Sequence, residues 1–257
     1  HNANDSGDGL SFQTYQALQL AGDLRLRVLQ HIPVPNLPHA RALGLRSGFG
    51  DAWLRIGGVK MFADGALGSR TANMLWPYEG EPGNWGVAAM DPEEMLEQAL
   101  LASAAGLSLT IHAIGDRANR DVLNVLAAVR AAEGAGALRH RIEHVQCIHD
   151  DDLPRLARLG IIASVQPIHA TSDIDIVDRY WGPERARGAY AFRRLLDSGA
   201  HLVFGSDGPI EPHDPLTGIH AAVTRARADG SPGPEGWQPQ ERLTVAEAVD
   251  AYTYWPA

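Results

Sequence analysis

"LSLTIHAIGDRANRDVLNVLAAVRAA" (107–132) contains one complete repeat of the architecture. Leu107 to Ile114 is an apolar run without strict alternation, the pattern of a parallel strand buried on both faces. His112 interrupts it near its end. Gly115 and Asp116 break the run, and Val122, Val125, Leu126 and Val129 then recur at helical spacing. The stretch reads as strand, turn and helix, with a polar residue at the strand's C-terminal tip.

The same pattern extends outward. Upstream lie "LRLRVLQHIP" (24–33) and "IGGVKMFADG" (56–65). Downstream lie "LRHRIEHVQ" (138–146), "IIASVQPIH" (161–169) and "AHLVFGSDGP" (200–209). Helical signals fill the gaps. Asp91 and Pro92 open a helix that stops at Gly106. Three aspartates open 150–159, which ends at Gly160, and Phe192, Leu195 and Leu196 lead to Gly199. Thr244 and Glu247 form a capping box for a helix through Tyr252. Repeated strand–helix units imply parallel strands with right-handed crossovers.

Two architectures fit: an open doubly wound sheet and a (β/α)8 TIM-type barrel. No G-x-G-x-x-G opens a helix after a strand, which weighs against a dinucleotide-binding sheet. Chemically active residues sit at the tips of several strands, the habit of a barrel. Six strands are legible where a barrel needs eight. The polar "HNANDSGDG" (1–9) reads as a loop after a strand already passed, and no strand follows the last helix. The expectation is a single barrel domain over 1–257, incomplete, from a longer protein whose first strand or two lie upstream. The loop 226–242 reads as a surface excursion or a lid.

Composition narrows the function. The chain has 257 residues, 45% apolar, with 22 basic and 31 acidic residues, a net charge of −9. That excess of acid argues against nucleic-acid partners and leaves a small-molecule substrate as the expectation. No run of 18 apolar residues suggests a membrane span. The one cysteine, Cys147, permits no internal disulfide, and nothing nearby marks it as a nucleophile. A cytoplasmic location follows as an expectation, and a homo-oligomer stays open.

Lys60, His112, His144 and Asp207 share one setting, each near the end of its own apolar strand. Two imidazoles and a carboxylate suit zinc, manganese or iron. Each residue alone has a plainer reading: a hydrogen-bonded core histidine, a turn aspartate in "SDGP", a lysine with packed stem and solvated head. Lys60 also fits an imine-forming nucleophile of an aldolase-type barrel. A third reading is a ligand-binding barrel with an incomplete metal site and no catalysis.

"VKMFADGALGSRTA" (59–72), "IHAIGDRAN" (111–119), "RIEHVQ" (141–146), "ASVQPIH" (163–169) and "FGSDGPIEPHDP" (204–215) together resemble the amidohydrolase superfamily. The match is to the YtcJ-like branch, which includes the N-substituted formamide deformylases. The resemblance covers roughly residues 24–257, with the motifs in the family's order. It implies a distorted barrel beside a small β-sandwich, and hydrolysis of a C–N amide-type bond by metal-activated water. It implies one or two divalent metals per chain, most simply Zn2+, held by His112, His144 and Asp207. Lys60 would join them as a carboxylated lysine, and Asp207 would serve as general base. The family's His-x-His pair on the first strand has no counterpart here and is expected upstream of His1.

Further polar residues near the strand ends are candidates for the pocket. Asp64 and Arg70 follow the Lys60 strand. Asp116 follows His112 and is also a candidate N-cap for the next helix, with Arg117 beside it. Gln166 and His169 end their strand, and His169 could polarise a carbonyl oxygen or be an ordinary loop histidine. Trp76, Tyr78 and Trp85 could line a pocket or pack their own loop. Strict alternation turns Glu143 away from His144, toward the helices.

Overall fold

A computed structural model of the chain describes residues 2–3, 10–133 and 138–256. Among the described residues, seven strands form one sheet: β1 (Asn2–Ala3), β2 (Val28–Pro33), β3 (Leu54–Phe62), β4 (Leu109–Ala113), β5 (Arg141–His144), β6 (Ile162–Val165) and β7 (His201–Phe204). Their spatial order is β1 to β7 without exception, and every pairing is parallel. A doubly wound sheet reverses its order at a switch point. This sheet does not, so it winds in one sense like a barrel.

All six strands read from the sequence are present, each shorter than its apolar run. The seventh, β1, corrects the reading of residues 1–9 as a loop. Asn2 and Ala3 pair with Leu29 and Gln30, while residues 4–9 lie outside the described residues. Two residues carry too little pattern to read as a strand.

The helices follow their signals. Asp91 caps Pro92–Ala104 by accepting from the Glu93 and Glu94 amides. Asp116–Glu133 buries Val122, Leu123, Val125, Leu126 and Val129 against the sheet side. Leu153–Leu159 ends at Gly160, whose φ of 61° stops it in left-handed geometry. Thr244 and Glu247 make the expected capping box of Val245–Tyr252. One continuous apolar cluster joins strands and helices, with Val59, Met61, Leu109, Ile111, Ile142, Ala163 and Val165 at its centre.

Residues 226–242 are a pinned excursion and not a free lid. Arg227 donates to the Thr171 carbonyl and pairs with Asp175. Arg225, wholly buried, donates to the carbonyls of Trp237 and Tyr190, and Glu241 is buried against Arg194.

Candidate metal centre

The strand tips deliver the polar residues to one region. Lys60 sits two residues before the end of β3, between the fully buried Val59 and Met61, and is itself buried. Its Nζ lies 4.5 Å from the centroid of the Phe62 ring. Burial pushes the Lys60 ammonium down to about 8, with Arg141 adding to the effect and Glu143 and Asp207 opposing it.

His112 is in β4 and His144 ends β5. Their rings stand 4.5 Å apart between centroids, at 70°. His112 Nε2 is 2.8 Å from the Gly65 carbonyl oxygen. A carbonyl only accepts, so Nε2 carries the proton and Nδ1 keeps its lone pair. His144 Nδ1 is 2.9 Å from Gln166 Oε1. Burial foremost, then electrostatic repulsion from the neighbouring His112 ring, holds the His144 pKa well below the ordinary histidine value. A neutral imidazole is the form that binds a metal.

His144, His169 and Asp207 each offer a ligand atom within 4.8 Å of the others. His169 lies in the first turn of the helix Pro167–Ser172, beyond the end of β6 and not within the strand. Its Nε2 is 3.4 Å from Asp207 Oδ2, and its Nδ1 is 3.5 Å from Glu211 Oε1. Burial pulls the His169 pKa down, but Asp207, Asp173 and Glu211 outweigh it and the net shift is upward. Burial pushes the Asp207 carboxyl up, yet the hydrogen bond from His169 and the nearby cations bring it below its usual value. Asp207 and His144 hold φ of 56° and 78°, and Val145 holds 45°. Non-glycine residues visit that region rarely, a β-branched one least of all. Such strain persists where surrounding structure enforces it, commonly at functional sites.

The left-handed turn at His144 corrects the reading of Glu143. Alternation alone would send the two to opposite faces. With His144 bent out of strand geometry, Glu143 faces the same buried interior as Lys60. Its Oε1 is 2.6 Å from Arg141 Nε, and Arg141 Nη2 is 3.0 Å from His31 Nε2. Burial raises the Glu143 carboxyl, but Arg141 and Lys60 outweigh it and the net shift is downward. Burial, aided by Arg141, lowers His31 to about 3. Gly57 makes room for that imidazole: a Cβ there would stand 2.6 Å from His31 Nδ1. Neither this charged layer beside Lys60 nor Glu211 is legible in the sequence. Both lie in stretches whose apolar or turn character dominates the sequence signal.

The other pocket candidates take different places. Asp64 is a buried anchor, and its carboxylate accepts from the amides of Asn73, Ile114 and Gly115. Its Oδ1 is also 3.4 Å from His112 Nε2. Gly115 is required there, because a Cβ would stand 2.0 Å from the Asn73 carbonyl oxygen. Asp116 opens the helix Asp116–Glu133 and accepts from the amides of Leu75 and Arg117. Arg70 pairs with Glu81 and lies over the Tyr180 ring. Gln166 meets His144. Trp76 and Tyr78 line a cavity of about 690 Å3 with Asp116, Cys147, Trp181 and Arg185. None of Lys60, His112, His144, His169 or Asp207 lines it, and neither does Trp85. Cys147 is buried, and burial raises its thiol pKa well above the ordinary value, which disfavours a thiolate.

The residues fit a divalent cation. His144 is neutral by burial, Asp207 is ionised, and the lone pairs left on His112 and His144 follow from their hydrogen bonds. A parallel sheet wound in one sense, with imidazoles gathered at its strand tips, is the architecture of the metal-dependent hydrolase barrels. Residues 5–257 match the model described as "Amidohydrolase family". The chain belongs to the amidohydrolase family. It is 37% identical over 252 residues to the Arabidopsis thaliana protein LONG AFTER FAR-RED 3, covering 96% of this chain and 43% of that one. It is 29% identical over 205 residues to the N-substituted formamide deformylase of Arthrobacter pascens, covering 79% and 36% respectively. The crystal structure of an uncharacterized metal-dependent hydrolase from Pyrococcus horikoshii OT3 superposes with a TM-score of 0.86 at 33% identity, over 99% of this chain and 49% of that one. The chain spans less than half the length of the curated relatives it matches.

Proposed function

We propose that this chain carries the hydrolytic centre of a metal-dependent amidohydrolase that cleaves a C–N amide-type bond in a small molecule. The observation that carries the proposal is the convergence of His144, His169 and Asp207 within 4.8 Å, beside the buried Lys60. His112, His144 and Asp207 would hold the cation, most simply Zn2+, with Lys60 joining them once carboxylated. Its depressed pKa makes the neutral amine, the form that takes up carbon dioxide, accessible near neutral pH. A divalent cation there supplies Lewis acidity, which polarises a carbonyl and acidifies a water.

The chain's own residues supply the proton path. Asp207 accepts a proton from the attacking water as the new C–O bond forms, and returns it to the nitrogen as the C–N bond breaks. His169, flanked by Asp207 and Glu211, donates to the developing oxyanion by turning one of its N–H groups from a carboxylate to that oxygen. The relative named for N-substituted formamides makes formamides and simple amides the first substrates to try. The test is amine release from such compounds by full-length protein, with Asp207→Asn as control. Turnover surviving complete metal removal overturns the proposal.

A further inference from the structure

Gln166 adjoins two elements of the site. It occupies the N-cap position of the helix that carries His169, and its side chain reaches the end of β5. The residue is buried. Its Nε2 is 3.4 Å from the Ser164 carbonyl oxygen, and its Oε1 is 2.9 Å from His144 Nδ1. The opposite amide orientation would set two carbonyl oxygens against each other at Ser164. The amide therefore presents oxygen to His144, and amide oxygen only accepts.

We infer that Gln166 is a positioning residue that fixes the tautomer of His144, placing the proton on Nδ1 and leaving Nε2 as its only lone pair. The inference deepens the metal reading and rests on it for its functional meaning. His144 is held at a φ of 78°, so local backbone preference does not set its ring direction. Without Gln166 the imidazole loses this partner and is free to exchange tautomers or rotate. Outer-shell partners of this kind change metal affinity by about 10–100-fold.

The test uses the full-length, metal-free protein and long-range 1H–15N correlation of its histidine rings. Wild type is expected to show Nδ1–H for His144 and Nε2–H for His112. Gln166→Glu keeps an acceptor and should keep the His144 form. Gln166→Leu and Gln166→Met remove it and should give a mixture or Nε2–H, with His112 unchanged. Co2+ titration should show the two apolar variants binding about 10–100-fold more weakly and Gln166→Glu near wild type. An Nε2–H form of His144 in wild type overturns the inference, whatever the variants do. So does an unchanged tautomer in a folded Gln166→Leu or Gln166→Met. An Nδ1–H form in wild type that binds no Co2+ supports the role of Gln166 and overturns the metal reading.

Discussion

His112 and His144 face each other at 4.5 Å with opposite nitrogens already committed, Nε2 to the Gly65 carbonyl and Nδ1 to the Gln166 amide oxygen. Two rings on neighbouring strands thus present different nitrogens, and neither choice is left to solvent. Hydrogen bonds to the backbone and to a buried amide orient the pair before any ligand arrives.

Asp207 should be replaceable without loss of fold. It is partly exposed and outside the apolar core. Asp207→Asn is expected to lower kcat by about 10²–10⁴-fold, the usual worth of a general base, with circular dichroism unchanged. A variant within a factor of three of wild type removes Asp207 as the base.

Asp64 should behave in the opposite way. Its carboxylate satisfies three amides and secures the loop after β3 to the loop after β4. Asp64→Ala strands those donors in the interior and should cost about 3–5 kcal/mol in denaturant unfolding. A raised KM at unchanged stability would instead make Asp64 a substrate contact.

Lys60 sets a stability trend at alkaline pH. Its ordinary value is 10.5 and its folded value is about 8. Below pH 8 it is charged in both states, and burying the ammonium costs roughly 3 kcal/mol at 1.36 kcal/mol per pKa unit. Between 8 and 10.5 the unfolded chain binds the extra proton, so metal-free stability should rise through that window. Lys60→Met should be more stable than wild type at pH 7 and should flatten the rise. Equal unfolding free energies at pH 7 and pH 10 in urea titrations would contradict this.

His31 sets the trend at the acid end. Its ordinary value is 6.5 and its folded value is about 3. Between those values the unfolded state binds the proton and the folded state does not, so stability should fall as pH drops from 6.5 toward 3. His31→Gln should unfold with a shallower acid dependence. An acid limb with unchanged slope would assign the effect to other groups.

The sequence discloses its strands because parallel strands buried on both faces are continuous apolar runs, and a polar residue within them stands out. Lys60, His112, His144 and Asp207 are visible for that reason. Alternation puts Glu143 on the wrong face because it assumes strand dihedrals through His144, and the left-handed turn there cannot be read from residue types. Asp64 resembled a pocket residue because a loop carboxylate looks the same whether it meets substrate or amides. β1 is two residues long, below any periodicity. Gln166 stood out as a site residue, but its partner on another strand depends on tertiary proximity.

The sheet order has a consequence for assembly. Lys60 and Asp207 lie roughly 150 residues apart in the chain, and each site residue enters on a different β/α unit. Contacts of such wide separation close late, because loop entropy must be met first. No partial fold lacking β3, β4 or β7 can bring Lys60, His112, His144 and Asp207 together. Metal uptake should therefore report completed folding, trailing the recovery of helix signal in a refolding experiment, and make the centre an internal gauge of conformational quality.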